Sequence, residues 1–105
     1  AFAKGFKRRV SISPSNRSRW TGENDLANTV EFIANKKLGE MKRSGLVGEA
    51  NLMLLELDGV SLGIRNSGTQ AKTNVSLRVA SGKDYSDALE AMEQIILTLR
   101  EQLSD

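Results

Sequence analysis

Cysteine and histidine are both missing from this chain of 105 residues. Without Cys there is no disulfide, no thiolate nucleophile and no Cys-ligated zinc or iron–sulfur centre. Without His the chain lacks the commonest general base, the commonest metal ligand and any Ser-His-Asp triad. Proline occurs once, at Pro14. No apolar run approaches the roughly 20 residues of a membrane-spanning helix, so a membrane partner is not expected. What remains is 39% hydrophobic and 27% charged, a balance that fits one soluble globular domain with a modest core.

Net charge is only +2, but it is unevenly spread. Residues 1–22 hold Lys4, Lys7, Arg8, Arg9, Arg17 and Arg19 and no acid, which leaves nine bases against thirteen acids in the rest of the chain. Such an arm suits nucleic acid, anionic lipid or an acidic neighbouring domain, and its Arg- and Ser-rich character is also that of an organelle transit peptide. A solvated linker is the favoured reading. The expected division is therefore a basic arm over 1–22 and a folded domain over 23–105. The first residue is Ala rather than Met, and the natural chain is expected to be longer or processed.

Within the arm, Val10-Ser11-Ile12 alternates as a short strand does, and residues 13–22 read as a loop with a cluster of turn formers. Trp20 is either a surface anchor or a side chain folded onto the core, with the core preferred. Residues 23–43 read as a helix: Leu26, Val30, Ile33, Leu38 and Met41 recur near helical spacing. Thr21 or Asn24 can cap its start. Lys42 and Arg43 suit its negative end, and Gly45 its stop. Residues 50–57 form an apolar run followed by Asp58-Gly59, a two-residue hairpin signal. Val60, Leu62 and Ile64 then alternate with Ser61, Gly63 and Arg65. Further on, Val75, Leu77 and Val79 alternate with Asn74, Ser76 and Arg78. These are expected to be three antiparallel strands in a meander.

Ser81-Gly82-Lys83 reads as a turn, and residues 84–103 as a second helix with Leu89, Met92, Ile96, Leu99 and Leu103 on one face, widened by Ala88 and Ile95. Asp84 or Ser86 can cap it. The order is helix, strand, strand, strand, helix, with room for a fourth strand at the N-terminus. The expected fold class is α+β: a two-layer sandwich in which a meander of three to four strands carries both helices on one face. The opposite face is left polar, with Ser61, Arg65, Asn74, Ser76 and Arg78. The strands hold no aromatic residue on which bases could stack, although Arg65 and Arg78 could meet phosphates. Glu56 and Asp58 flank a turn and do not read as an acid/base pair. Ser67 has no His to activate it.

The stretch with the most chemistry is Arg65-Asn66-Ser67-Gly68-Thr69-Gln70-Ala71-Lys72, between two strands. Arg offers a planar fork of donors, the hydroxyls add neutral ones, and a glycine tolerates φ > 0 so that backbone N–H groups can turn inward. The same residue types also make an ordinary polar hairpin turn. Residue chemistry alone leaves both open.

This stretch, read from Gly63 to Lys72, resembles the phosphate-binding loop of the α-D-phosphohexomutases, the family of phosphoglucomutases and phosphomannomutases. Their last domain carries an Arg-x-Ser-Gly-Thr-Glu-Pro-Lys pattern between strands, after an Asp-Gly turn and before a C-terminal helix. The likeness covers residues 50–105, about half of the chain. This sequence departs from the pattern at Gln70 (usually Glu), Ala71 (usually Pro), Asn66 (commonly Pro) and Asn74 (often Arg). The resemblance implies a fourth domain that grips the phosphate not being transferred, for phosphoryl transfer between the 1- and 6-hydroxyls of a hexose. Its phosphate-binding candidates are Arg65, Asn66, Ser67, Gly68, Thr69 and Lys72. The partners it implies are a phosphorylated hexose and the remaining mutase domains, in the cytoplasm. The family's phosphoserine and its aspartate-held Mg²⁺ have no counterpart here, so no catalytic or metal residue is assigned, and this chain alone is not expected to catalyse. The alternative is a small basic nucleic-acid-binding module that uses the arm.

Overall fold

The structure, a computed structural model, describes residues 5–46, 49–82 and 84–104. Phe2 and Lys4 of the expected arm, and Lys83 of the expected turn, lie outside these residues. In chain order the elements are β1 (Phe6–Ile12), α1 (Asp25–Leu38), β2 (Lys42–Leu46), β3 (Glu49–Leu57), β4 (Val60–Asn66), β5 (Thr73–Val79) and α2 (Ser86–Leu103). Among the described residues the strands form one five-stranded antiparallel sheet in the order β1-β5-β4-β3-β2. The meander β3–β4–β5 is its centre. Both helices lie against one face, giving the α+β sandwich that the alternating patterns lead one to expect.

The two edge strands are where structure and expectation part. Residues 6–12 are not a linker but a full strand: Phe6 to Ile12 pair in register with Val79 to Thr73. The basic run hides a period of two. Val10 and Ile12 face the helices, while Lys7, Arg9 and Ser11 face outward. Arg8 points inward at the sheet edge and pairs with Glu93 of α2. Residues 13–22 are likewise part of the domain, since Trp20 is fully buried and donates its indole N–H to the Asn51 carbonyl at 3.2 Å. The division into arm and domain is corrected accordingly: the described part of 1–22 belongs to the same fold.

The first helix stops five residues short of the expected Arg43. Asn24 caps its start, its side-chain oxygen accepting from the Ala27 N–H at 3.1 Å. Its end is set at Gly39, whose φ of 104° is open to glycine and strained for other residues. There the Gly39 N–H donates to the Asn35 carbonyl at 2.9 Å, and the Asn35 side chain accepts from the Met41 N–H at 2.9 Å. Freed from the helix, Lys42 and Arg43 enter β2. Arg43 turns under the helices to reach Asn28, Glu31 and the Gly22 carbonyl.

The second helix buries Ala88, Ala91, Met92, Ile95, Ile96, Leu99 and Leu103 and runs over β5 and β1. The first helix packs chiefly on the second and reaches β3. Between the layers lie Met53, Leu55, Leu62, Ile64, Val75 and Leu77, all essentially without solvent contact. At the β3–β4 turn Asp58 and Gly59 have φ of 47° and 79°. Two positive φ values in succession are the mark of the type I′ turn, whose twist matches the strands it joins.

Candidate functional site

The last residues of β4 divide between the two faces of the sheet. Arg65 stands on the open face, opposite Leu52 on one side and Asn74 on the other, and is exposed. Asn66 is one residue further and so faces the helices, where it is buried. Its amide nitrogen donates to the carbonyls of Trp20 at 3.0 Å and Arg17 at 3.3 Å. Its oxygen accepts from the Thr73 hydroxyl at 2.8 Å, and Thr73 in turn shares a 2.7 Å hydrogen bond with Ser15. Every polar group of this buried chain has a partner, as burial demands. The Asn66 side chain therefore anchors the loop from behind instead of joining the exposed groups.

The loop itself is built around Ser67. Its N–H donates to the Lys72 carbonyl at 2.9 Å, closing the loop where the strands part. Its hydroxyl oxygen accepts from the backbone N–H groups of Gln70 at 3.2 Å and Thr69 at 3.4 Å. One oxygen thus collects two converging N–H groups, the arrangement by which a loop of this kind receives an anion's oxygen. Gly68, Thr69 and Gln70 are exposed at the tip, and Lys72 is half-buried at its base.

Gly68 does not have the positive φ expected of it; the described glycines that do are Gly39, Gly59 and Gly82. The turn is held by the Ser67 hydroxyl, so no left-handed residue is required. A Cβ built on Gly68 would meet nothing within 4 Å. Neither backbone conformation nor internal packing calls for a glycine here.

A second wall, absent from the sequence reading, comes from residues 13–20. The Ser15 N–H donates to the Ala71 carbonyl at 2.8 Å, and a terminal nitrogen of Arg17 donates to the Gly68 carbonyl at 3.1 Å. Buried Trp20 fixes the end of this segment. The one signal for it in the sequence is the reading of Trp20 as a core residue, because a core Trp at position 20 must draw its neighbours onto the sheet.

Arg65, Ser67, Gly68, Thr69 and Lys72 are thus brought together. Arg78 is not: it stands opposite Ser61, four residues along β5 from the row of Arg65, or about 13 Å away. There, Lys7, Ser61 and Arg78 line a shallow depression of about 560 Å³ at the far end of the open face. Glu56 is paired across the sheet with Ser61 on one side and Lys42 on the other. Among the described residues no group of three or more acidic side chains is placed to hold a metal, and no helix is long and apolar enough to cross a membrane. Comparison with protein-family models, curated proteins and solved structures gave no match.

Proposed function

We propose that this chain is a phosphate-gripping domain of the phosphohexomutase type, holding the spectator phosphate of a hexose phosphate for chemistry performed by other domains. The observation that carries the reading is the Ser67 turn. It gathers two backbone N–H groups at the tip of a fastened loop, beside a glycine the fold does not itself require and between the cations Arg65 and Lys72. A phosphate oxygen can replace the Ser67 hydroxyl as acceptor of those N–H groups, and the freed hydroxyl can then donate to it. Arg65 adds a fork of charged donors and Lys72 a point charge. Such a grip contributes to catalysis by positioning and charge neutralisation. Gln70, where the resembled pattern has Glu, leaves the tip without a carboxylate to repel the ligand. The family's Mg²⁺ and phosphoserine would belong to those other domains.

The test is a titration of the chain with glucose 1-phosphate and glucose 1,6-bisphosphate, followed by amide shifts. Shifts should concentrate at Ser67–Gln70, and saturation should need roughly millimolar ligand because a lone domain supplies contacts to one phosphate. No response at those amides up to about ten times that concentration would sink the reading.

One observation favours a second reading. Lys7 and Arg9 share the open face with Arg65 and Arg78, a cationic surface open to a polyanion such as a nucleic-acid backbone. Among the described residues no strand places an aromatic side chain on that face, so any such binding is sequence-independent. Because β1 is integral, the test is Lys7→Gln with Arg9→Gln rather than deletion. Duplex binding should weaken, and its logarithmic salt slope should fall by about 2.

A further inference from the structure

We propose that Lys7, Arg9 and Arg78 form a second anion site, at the opposite end of the open face from the Ser67 loop, and that it takes the diphosphate group of a small molecule. None of these residues belongs to the loop, so the two sites stand or fall separately.

Strand register puts the three cations together. Lys7 stands directly opposite Arg78 across β1 and β5, and Arg9, opposite Ser76, is the diagonal neighbour of Arg78 on the same face. Side chains directly opposite have Cβ atoms about 4.5–5.5 Å apart, and diagonal ones about 7–8 Å. All three are exposed. Like charges facing each other across a ladder cost stability. Arg8, which lies between Lys7 and Arg9 in sequence but points to the helices, is relieved by Glu93. The other ion pairs among the described residues engage Lys37 and Arg43, and none engages Lys7, Arg9 or Arg78. The repulsion on the open face is left in place, and an anion seated between the three side chains removes it.

Beside this cluster the face dips. Next to Lys7, Arg78 and Ser61 come Gly5, Ala80 and Gly59, which carry no side chain larger than a methyl group, and the Ala80 N–H donates to the Gly59 carbonyl at 2.8 Å. They form the floor of the depression of about 560 Å³, within the usual range for a small-ligand pocket. Phe6 and Val79 complete its lining with apolar surface for the body of a ligand, and the Ser61 hydroxyl adds a neutral donor. The extent of the charge selects the ligand. Along β1 the next outward residue after Arg9 is Ser11, which donates to Asn74 at 2.6 Å, so the cationic patch ends after about 7 Å. Across the strands it ends at Ser61, because Glu56 and Asp58 line the adjoining depression with Lys42. A duplex laid across the strands would bring its phosphates against those carboxylates. A diphosphate stays within the patch: the Arg78 fork meets two oxygens of one phosphoryl group, and Lys7 and Arg9 donate to the other.

The experiment is a titration of the chain with pyrophosphate, orthophosphate and a short DNA duplex at constant ionic strength, read at the amides of Lys7, Ser61, Arg78 and Ala80. Pyrophosphate should saturate those amides at a concentration roughly tenfold below orthophosphate. Arg78→Gln and Lys7→Gln should each weaken pyrophosphate about tenfold while the denaturation midpoint holds or rises, because each relieves the like-charge pair. Lys36→Gln removes the same charge from an exposed position on α1 and should leave the affinity unchanged. The Ser67–Gln70 amides report the loop, so a failure of either site is seen apart from the other. Absent shifts at the four amides, equal affinity for the two phosphates, or equal weakening by Lys36→Gln would overturn the proposal. So would a midpoint lowered by both Arg78→Gln and Lys7→Gln, which marks a structural role, and so would a duplex that binds more tightly per phosphate than pyrophosphate, which marks an extended polyanion surface.

Discussion

The side-chain amide of Asn66 donates to the backbone carbonyl of Trp20 at 3.0 Å, tying the start of the loop to the anchor of the segment that walls it. That one side chain joins three pieces of chain: it holds Arg17 and Trp20 from the N-terminal segment and Thr73 from β5. Removing it leaves the buried Trp20 carbonyl and the part-buried Arg17 carbonyl without their donor, and Thr73 with Ser15 as its remaining partner, each lost bond to a buried group costing about 1–3 kcal/mol before water enters. Asn66→Ala should therefore destabilise the domain by about 2–4 kcal/mol, read as a lower urea midpoint at unchanged m. Asn66→Asp should cost at least as much, because an ionised carboxylate cannot donate to the two carbonyls.

Gly59 offers a cleaner backbone test. Its φ of 79° is accessible to glycine and strained for alanine, and it sits in the turn that sets the β3–β4 register. Gly59→Ala should cost about 1–2 kcal/mol in chemical denaturation, with the Ser67–Gln70 amides unmoved because they lie at the opposite end of β4. Asp58→Asn should be close to neutral, since Asn adopts positive φ as readily as Asp.

The stability of this domain should be nearly flat from about pH 5 to pH 9, the range in which His and Cys would titrate in other proteins. Change is expected at the two ends. Asp84 is held below the usual carboxylate range by the Ser86 backbone N–H first and the Ser86 hydroxyl second. Its contribution is present above the ordinary Asp pKa and is lost as acid protonates it. Asp84→Asn should narrow its stability difference from the parent as the pH falls below about 4. Lys37 is raised above its ordinary value by its hydrogen bond and charge contact with Glu90. Its contribution is present below the ordinary Lys pKa and is lost as alkali passes the folded value. Lys37→Met and the parent should therefore converge in stability above about pH 11. Thermal scans at the two extremes check both directions. Both groups are exposed, so the effects should be small and fade in salt.

The legible parts of this fold were those whose signal is local. Asp58-Gly59 specifies its turn by backbone chemistry, the strand after it alternates strictly, and the strand before it carries an unbroken apolar run. The stripe of α2 is nearly uninterrupted, and its buried residues are those the spacing picks out, with Ala91 added and Leu89 only half-buried. What could not be read depends on long-range pairing. Lys42–Leu46 is five residues of KRSGL with no apolar alternation, a strand only because β3 offers it an edge. Lys7, Arg8 and Arg9 look like a solvated charge run until β5 is seen to lie beside them. For the loop, the sequence carried its residue types but not its second wall, because no local pattern says that Arg17 returns to Gly68. Asn66 is the same lesson in one residue. The alternation that puts Arg65 outward must put Asn66 inward, and its neighbours in the loop drew attention from that parity.

Gly68 decides between a phosphate cradle and an ordinary polar turn. Its backbone lies outside the left-handed region, and an added Cβ would find nothing within 4 Å. If the loop only joins two strands, Gly68→Ala should be silent or slightly stabilising, by up to about 1 kcal/mol through the unfolded chain. If an anion seats against the Thr69 and Gln70 N–H groups, the new methyl group stands where the ligand must approach. Glucose 1-phosphate binding should then fall at least tenfold while the denaturation midpoint holds or rises. The two measurements are made on one variant, and they separate folding from function because the fold does not itself need this glycine. Loss of stability with binding unchanged would count against the cradle, and so would unchanged affinity in a fully folded variant.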